Sequence, residues 1–431
     1  MPGVRSPGSL AATSLVVASM IGTGIFSSLG FQLDDFSSGP QILFLWLVGG
    51  VLALCGALCY AAVAGALPRS GGEHHFLTEL YHPALGFMAG VLSAVVGFAA
   101  PTALTAIAFG EYLHKAVPDI PVQAAAAVVI VLGCAAHSIS SRTSAGVQVV
   151  ATSLKLLLIL SFIAAATFLP GKGDIRWEFD AEKDFGSVLQ PAFATALFYV
   201  FYAYSGWNAA VYGLEEWKRP ARTVRNALVV GTLLVTLLYL GLNISFLRSA
   251  PVGALTKELA VGEISARHLL GDGTGSVVAV LFAAGLFASV SALLWAGPRV
   301  LSAMGKSVPA LARLHSPDEA PRLALGVQAA LAITFVFIAK FRDLVAYTQT
   351  GLAICTLLTV AGLFRLRGRK VGEGCHRPGS WLIAPACLFI GMTGFVVIRS
   401  LADEPLPTVA GLATAGIILG IGHQLTERSP A

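Results

Sequence analysis

Charge is scarce in this chain. Of its 431 residues only 12% are Asp, Glu, Lys or Arg, against 56% hydrophobic, and the mean hydropathy is +0.77. A water-soluble fold of this length carries far more charge, so that class is excluded. Long polar and low-complexity stretches are missing as well. The polar segments 170–187 and 248–275 are too short to fold alone, and 304–321 has room for one short helix. The six cysteines are scattered, with Cys55, Cys59, Cys134, Cys355 and Cys387 in apolar runs and Cys375 in a polar loop. They form neither a disulfide framework nor a metal-ligand spacing. His74 and His75 lie in the loop after the second apolar run, with no Cys or carboxylate at ligand spacing, so no metal is expected there.

Long apolar runs fill the space that charge leaves. Gln41 to Leu67 is uncharged throughout, and runs of about 18–27 residues recur, each long enough to cross a bilayer. Twelve are read, at about 10–31, 41–67, 85–110, 121–138, 146–169, 188–213, 226–247, 276–303, 322–339, 342–365, 381–400 and 407–424. Only Lys340, Arg342 and Asp343 separate the ninth from the tenth. The first span follows Arg5 but has no small-residue cleavage site after a short apolar core, which reads as a retained helix and not a signal peptide. The expected fold class is an all-α integral membrane protein with 12 transmembrane helices and the lipid bilayer as its surroundings.

The loops set the orientation. With a cytoplasmic N-terminus, 17 of the 28 Lys and Arg residues fall inside and 10 outside, with Lys155 left in the membrane. Both termini are then cytoplasmic, as positive-inside bias and an even span count require. A multi-pass protein of the cell inner (plasma) membrane is expected. The net charge of +5 is accordingly a matter of sidedness and gives no reason to expect nucleic acid as a partner.

Two apolar spans carry helix-weakening residues in mid-membrane: Ile21-Gly22-Thr23-Gly24-Ile25 and Tyr204-Ser205-Gly206-Trp207. A freed N–H or C=O in hydrocarbon costs several kcal/mol, so a broken helix persists only where protein, water or a ligand satisfies it. Each break opens a run of five spans, 10–169 and 188–365, with two more spans over 381–424. Because five is odd, the second run enters from the opposite face, and the two form an inverted repeat within a single transmembrane domain. Unwinding at Gly22 to Gly24 exposes the amides of the outer half-helix, which suit a carboxylate, and the carbonyls of the inner half, which suit an ammonium. Gly-x-Gly is also a common helix-packing contact, and that reading stays open.

Four motifs in order resemble one family. Met20-Ile21-Gly22-Thr23-Gly24-Ile25-Phe26 is similar to the first-helix glycine signature of the amino acid–polyamine–organocation (APC) transporters. Tyr202-Ala203-Tyr204-Ser205-Gly206-Trp207-Asn208, followed by Glu215-Glu216 and the stretch from Pro220, is similar to their sixth helix and inner loop. Arg69-Ser70-Gly71-Gly72-Glu73 and Gly297-Pro298-Arg299 fit as well. The resemblance covers essentially the whole chain and leans toward bacterial relatives of the L-type neutral amino acid carriers. It implies a LeuT-like 5+5 inverted repeat with discontinuous helices 1 and 6, and a substrate site at Met20, Ile21, Gly22, Thr23, Gly24, Tyr202, Ala203, Ser205 and Gly206. There the Thr23 and Gly24 N–H groups hold the carboxylate, and the carbonyls of Met20, Tyr202 and Ser205 hold the amine. Tyr202 is read as a lid.

Lys155 is the only ionisable residue between Gly146 and Leu169. It lies about ten positions from the inner end, more than 10 Å of climb, which a four-carbon stem hardly spans by snorkelling. By resemblance to sodium-independent members, a lysine on the fifth helix occupies the sodium position between helices 1 and 8. Its ammonium then contacts the Gly22 carbonyl and a hydroxyl of helix 8, Ser289 first and Ser291 second. Proton exchange at Lys155 and a permanently charged spacer are both open.

Substrate class follows from absence. A cationic cargo needs a carboxylate and a dicarboxylate needs an arginine, and apart from Lys155 the deep segments contain no charge; a neutral amino acid remains. Ser205, where many relatives have glycine, trims the pocket and favours small side chains. No nucleophile with a base and no ligand set sits at membrane depth, so neither an enzyme nor a cofactor is expected. L-type carriers bind an accessory glycoprotein through a cysteine after the third helix; residues 111–121 have none, so no disulfide-linked subunit is expected.

Overall fold

The computed structural model describes residues 8–139, 141–186, 190–316, 321–339, 341–368, 378–403 and 405–427. Arg5, Lys340, Cys375 with the rest of 369–377, and Arg428 lie outside the described residues. Among those described the fold is helical, with one isolated bridge between Ser38 and Arg176. Among the described residues ten helices are long and apolar enough to cross a membrane; the apolar helices at Ala192–Tyr204 and Arg322–Ile338 are shorter.

The first span is two helices, α1 (Ser9–Met20) and α2 (Thr23–Gln32), followed by α3 (Gly39–Ala66). Ser38 caps α3 by accepting from Gln41 N at 3.3 Å, with a proline in its first turn. α4 (Glu73–Leu80) lies where the sequence suggests a loop, and it buries Glu73, His74, Phe76, Leu77 and Leu80. The third span is α5 (Pro83–Leu92) and α6 (Ala100–Ala116), joined by a π-helical stretch at Ser93–Ala99. The five-residue hydrogen-bond spacing of that stretch leaves no mark in composition or periodicity.

Next come α7 (Val122–Ile139), α8 (Ser141–Phe168), the short α9 (Ala181–Gly186) and α10 (Pro191–Tyr204). Beyond Tyr204 the sixth span continues only as 3₁₀ turns at Ala209–Val211 and Leu214–Glu216. α11 (Pro220–Ser249) leads to the outer helices α12 (Val252–Leu255) and α13 (Val261–Leu270), and α14 (Gly275–Ser307) to a 3₁₀ turn at Pro309–Leu314. α15 (Arg322–Ile338), α16 (Phe341–Gly368), α17 (Ile383–Asp403) and α18 (Pro405–Glu427) complete the fold. All five described cysteines are free.

The two breaks touch. A Cβ on Gly24 would lie 2.4 Å from Ala203 Cα, and one on Gly206 would lie 2.8 Å from the Ser19 carbonyl carbon. Gly206 also sits at φ 96°, a conformation that favours glycine. The first interruption is narrower than the sequence suggests: it comprises Ile21 and Gly22, and Thr23 and Gly24 already belong to α2. Gly24 is therefore a helix contact as well as a first-turn residue, whereas a Cβ on Gly22 meets nothing nearer than 3.9 Å. Gly24→Ala is expected to destabilise the purified protein by about 1–3 kcal/mol through overpacking, and Gly22→Ala to leave stability near wild type. Thermal unfolding of the two variants side by side checks this.

Candidate functional site

A cavity of about 50 Å³ lies where the breaks meet. Met20, Gly22, Thr23, Gly24, Tyr202, Ala203, Ser205 and Gly206 all line it, as does Ser289. Of the nine residues the sequence nominated, Ile21 alone is not among the lining residues; its carbonyl serves Lys155 instead. Every lining side chain is uncharged. The first turn of α2 borders this space, and a helix start leaves its first N–H groups without intrahelical acceptors. Tyr202 lies across the same opening, with its hydroxyl 2.9 Å from Thr23 Oγ1.

Two of the three carbonyls nominated for an amine, those of Met20 and Tyr202, are already engaged. Met20 O accepts from Gly22 N at 2.8 Å and lies 2.6 Å from the hydroxyl of Tyr239. That hydroxyl also reaches Ala203 O at 2.8 Å, so one proton is shared between the two breaks. Tyr202 O accepts both Ser205 N at 3.0 Å and Ser205 Oγ at 2.7 Å. The Ser205 hydroxyl is thus folded back on its own helix end. Tyr239 was not found from sequence, because a single tyrosine among the aliphatic residues of α11 reads as packing.

Lys155 is 2% exposed and its ammonium ends inside the bundle. Nζ donates to Ile21 O at 2.7 Å, Ser289 Oγ at 2.6 Å and Ala18 O at 3.4 Å, and Ser289 Oγ donates in turn to Ile21 O at 2.6 Å. Three donors find three acceptors, two of them carbonyls of the last turn and the C-cap of α1, where the helix dipole favours a cation. Two nominations are corrected. The Gly22 carbonyl is not a partner, because α1 stops at Met20 and the Ile21 carbonyl closes its axis. Ser291 is not one either: its hydroxyl lies 2.9 Å from His137 Nε2, on another side of α14.

A second cavity, about 60 Å³, lies across the same wall. The two share Ser205, Gly206, Asn208 and Leu352. Gln349 and Thr393 border the second, and among the described residues Gln349 Oε1 and Thr393 Oγ1 have no hydrogen-bond partner. Below Asn208 lies Glu73, 1% exposed, a carboxylate that the argument from absence overlooked because its segment reads as a loop. It does not line either cavity, but Asn208 Nδ2 donates to it at 2.6 Å. His74 beside it is structural, with Nδ1 2.9 Å from Gly86 O and Nε2 2.8 Å from Ser307 Oγ. Burial holds the His74 pKa below its ordinary value, against the Gly86 contact.

Contacts bridge neighbouring elements on either side of the cavity. On one side Arg299 pairs with both oxygens of Glu216, Nε at 2.7 Å and an outer nitrogen at 3.1 Å, while its guanidinium stacks 3.5 Å from the Trp295 ring centre. Ser70 and Glu215 exchange hydrogen bonds beside it, at 3.2 and 3.0 Å. On the other side Lys257 N donates to Gly30 O of α2 at 2.7 Å, with Lys257 held at φ 66°.

Comparison with known proteins accords with this arrangement. A family model of amino acid permeases matches residues 8–421. The chain is 28% identical over 411 residues to the cystine/glutamate transporter of Homo sapiens, covering 93% of this chain and 81% of that protein. It is 27% identical to the Asc-type amino acid transporter 1 of Mus musculus, covering 96% and 79% respectively. Identity to the large neutral amino acids transporter small subunit 2 of Rattus norvegicus is 26%, with the same coverage of 96% and 79%. These relatives are transporters and not enzymes. The chain belongs to the amino acid permease family of the APC superfamily, multi-pass membrane proteins that transport amino acids.

Proposed function

We propose that the chain is a sodium-independent secondary transporter of small neutral L-amino acids, working by alternating access. The observation that carries this reading is the Lys155 ammonium, held between the end of α1 and Ser289 where a cation joins the two helices without a metal. Movement is coupled to proton symport or to exchange. The first turn of α2, at Thr23 and Gly24, takes the carboxylate, and Tyr202 closes over it. With Met20 O and Tyr202 O engaged, the amine is met by the remaining acceptors at the break, Ser205 O among them.

The relatives' names differ in cargo, so the choice of substrate rests on the cavity. Its uncharged lining disfavours cationic and dicarboxylic side chains, and Ser205 on its wall trims the space left for a larger one. Twelve transmembrane helices follow if α10 and α15 also span. They form one domain with inverted repeats at 10–169 and 188–365 and two further helices at 381–424. We place the protein in the plasma (inner) membrane with both termini cytoplasmic. One relative is named a small subunit; here the absence of cysteine from 111–121 argues that any partner is held without a disulfide, which a non-reducing gel of the native protein tests.

Uptake of radiolabelled alanine into proteoliposomes is expected to be equal in sodium and choline buffers. Lys155→Ala leaves Ile21 O and Ser289 without their cation, at about 1–3 kcal/mol for each buried group, and net transport is expected to fail while alanine binding is only partly weakened. Strict sodium dependence of the wild type, or full transport by Lys155→Ala, would overturn the coupling role.

Ser205 stands on the wall between the two cavities, so Ser205→Gly is expected to join them. Competition by larger neutral amino acids against alanine should then improve about tenfold or more, the usual reward for removing a steric block of 1–3 kcal/mol. An unchanged competition series would place the substrate side chain elsewhere.

A further inference from the structure

Glu73 is a buried carboxyl that the transport reading does not use. The chain enters α4 through Gly71 and Gly72, at φ 115° and 56°, and a Cβ on Gly72 would lie 2.4 Å from the Tyr212 ring. That close approach turns the next residue inward. Glu73 Oε1 accepts from Tyr60 OH at 2.9 Å and from Asn208 Nδ2 at 2.6 Å, and Oε2 has no hydrogen-bond partner. The Tyr212 hydroxyl, 3.2 Å from Asn208 Nδ2, faces the same carboxyl. From α16 the Cys355 thiol faces it too, and the adjacent His74 ring is turned to Gly86 and Ser307. Among the described residues no Lys, Arg or His forms an ion pair with it.

An ionised Glu73 would have only neutral donors to replace its water, a poor exchange for a charge this deep. Burial raises its pKa above the ordinary 4.5, against the neutral donors Tyr212, Tyr60 and Asn208 around it, which lower it. A protonated carboxyl suits the site better: Oε1 accepts twice as observed, and an Oε2–H donates toward Tyr212. Asn208 lines both cavities, so whatever fixes its amide also shapes the substrate wall.

We propose that Glu73 is a positioning residue that holds a proton while the cavity is closed and yields it to water when the segment after Gly206 moves, linking proton release to the pocket through Asn208. The link to substrate rests on the cavity being the amino acid site; the proton on Glu73 does not. The sign follows from the raised pKa. Below the ordinary carboxylate range the group is protonated in every state and costs nothing. As pH rises, the closed form must keep a proton that the open form gives up, so the closed form and its substrate affinity weaken.

The test uses the purified full chain and labelled alanine binding from about pH 5 to about pH 8. Wild-type affinity is expected to fall with rising pH, whereas Glu73→Gln, whose amide makes the same contacts without titrating, should stay near the acid value. Glu73→Asp should keep a slope. A Glu73→Gln variant that binds with the wild-type slope overturns the proposal, and so does one that folds but binds weakly at every pH. Independently, infrared titration of ligand-free protein should give a protonated-carboxyl band that persists above the ordinary carboxylate range and that Glu73→Gln removes. If that variant does not fold, absence of the band from the wild type overturns the proposal. If no neutral amino acid binds the wild type, the cavity reading fails and the infrared titration still decides for Glu73.

Discussion

Backbone groups freed inside a membrane must find partners, and the meeting of α1, α2 and α10 is arranged around that demand. Gly24 lies against Ala203 and Gly206 against Ser19, so each break is walled by the other's helix. The freed carbonyls then divide among three side chains from elsewhere in the fold. Tyr239 reaches Met20 O and Ala203 O, Lys155 reaches Ala18 O and Ile21 O, and Ser289 supports Ile21 O. Removing either glycine contact would separate helices whose broken ends are satisfied only in company.

Lys155 illustrates how a charge is kept at such depth. A lone ammonium there costs at least about 2.5–3.5 kcal/mol by insertion scales, and compensation has to come from fixed dipoles. Two carbonyls of the α1 terminus and one hydroxyl supply it, and Ser289 Oγ accepts from Nζ while donating to Ile21 O. The triangle ties α8, α1 and α14 together. A change in any one helix is therefore felt at the other two, as the coupling role proposed for Lys155 would require.

Much of this was legible in the sequence for a physical reason: hydrocarbon punishes exceptions. Apolar runs must be long, so the positions of the spans could be read. Glycines inside them and a lone lysine are costly, so eight of the nine nominated residues line the cavity and Lys155 meets Ser289. Illegible features were those where the cost is hidden. Ile21 in place of Gly22 depends on where the last α-helical turn stops, a matter of one residue. The π-helical stretch Ser93–Ala99 changes no composition, and Tyr239 looks like any core aromatic. Glu73 escaped because Gly71-Gly72 reads as a loop, although that turn is what carries the carboxyl inward. Ser291 was a fair second choice by type, but two positions along a helix turn a side chain about 200° away from Ser289.

The contacts on either side of the cavity differ in kind. Arg299 and Glu216 form a two-toothed pair in which the Glu216 side chain keeps 43% exposure, so water screens it and its worth is about 0–1 kcal/mol. The opposite contact is backbone on backbone, Lys257 N to Gly30 O, with a left-handed non-glycine residue behind it. Left-handed strain of about 1–3 kcal/mol persists only while its surroundings enforce it. One contact is weak because it is wet, and the other is offset by the strain at Lys257. Neither contact therefore dominates, and under the alternating access proposed above modest strength on both sides would let either one give way. Between them lies the junction of Tyr239, Lys155 and Ser289, whose hydrogen bonds are buried and so escape screening by water.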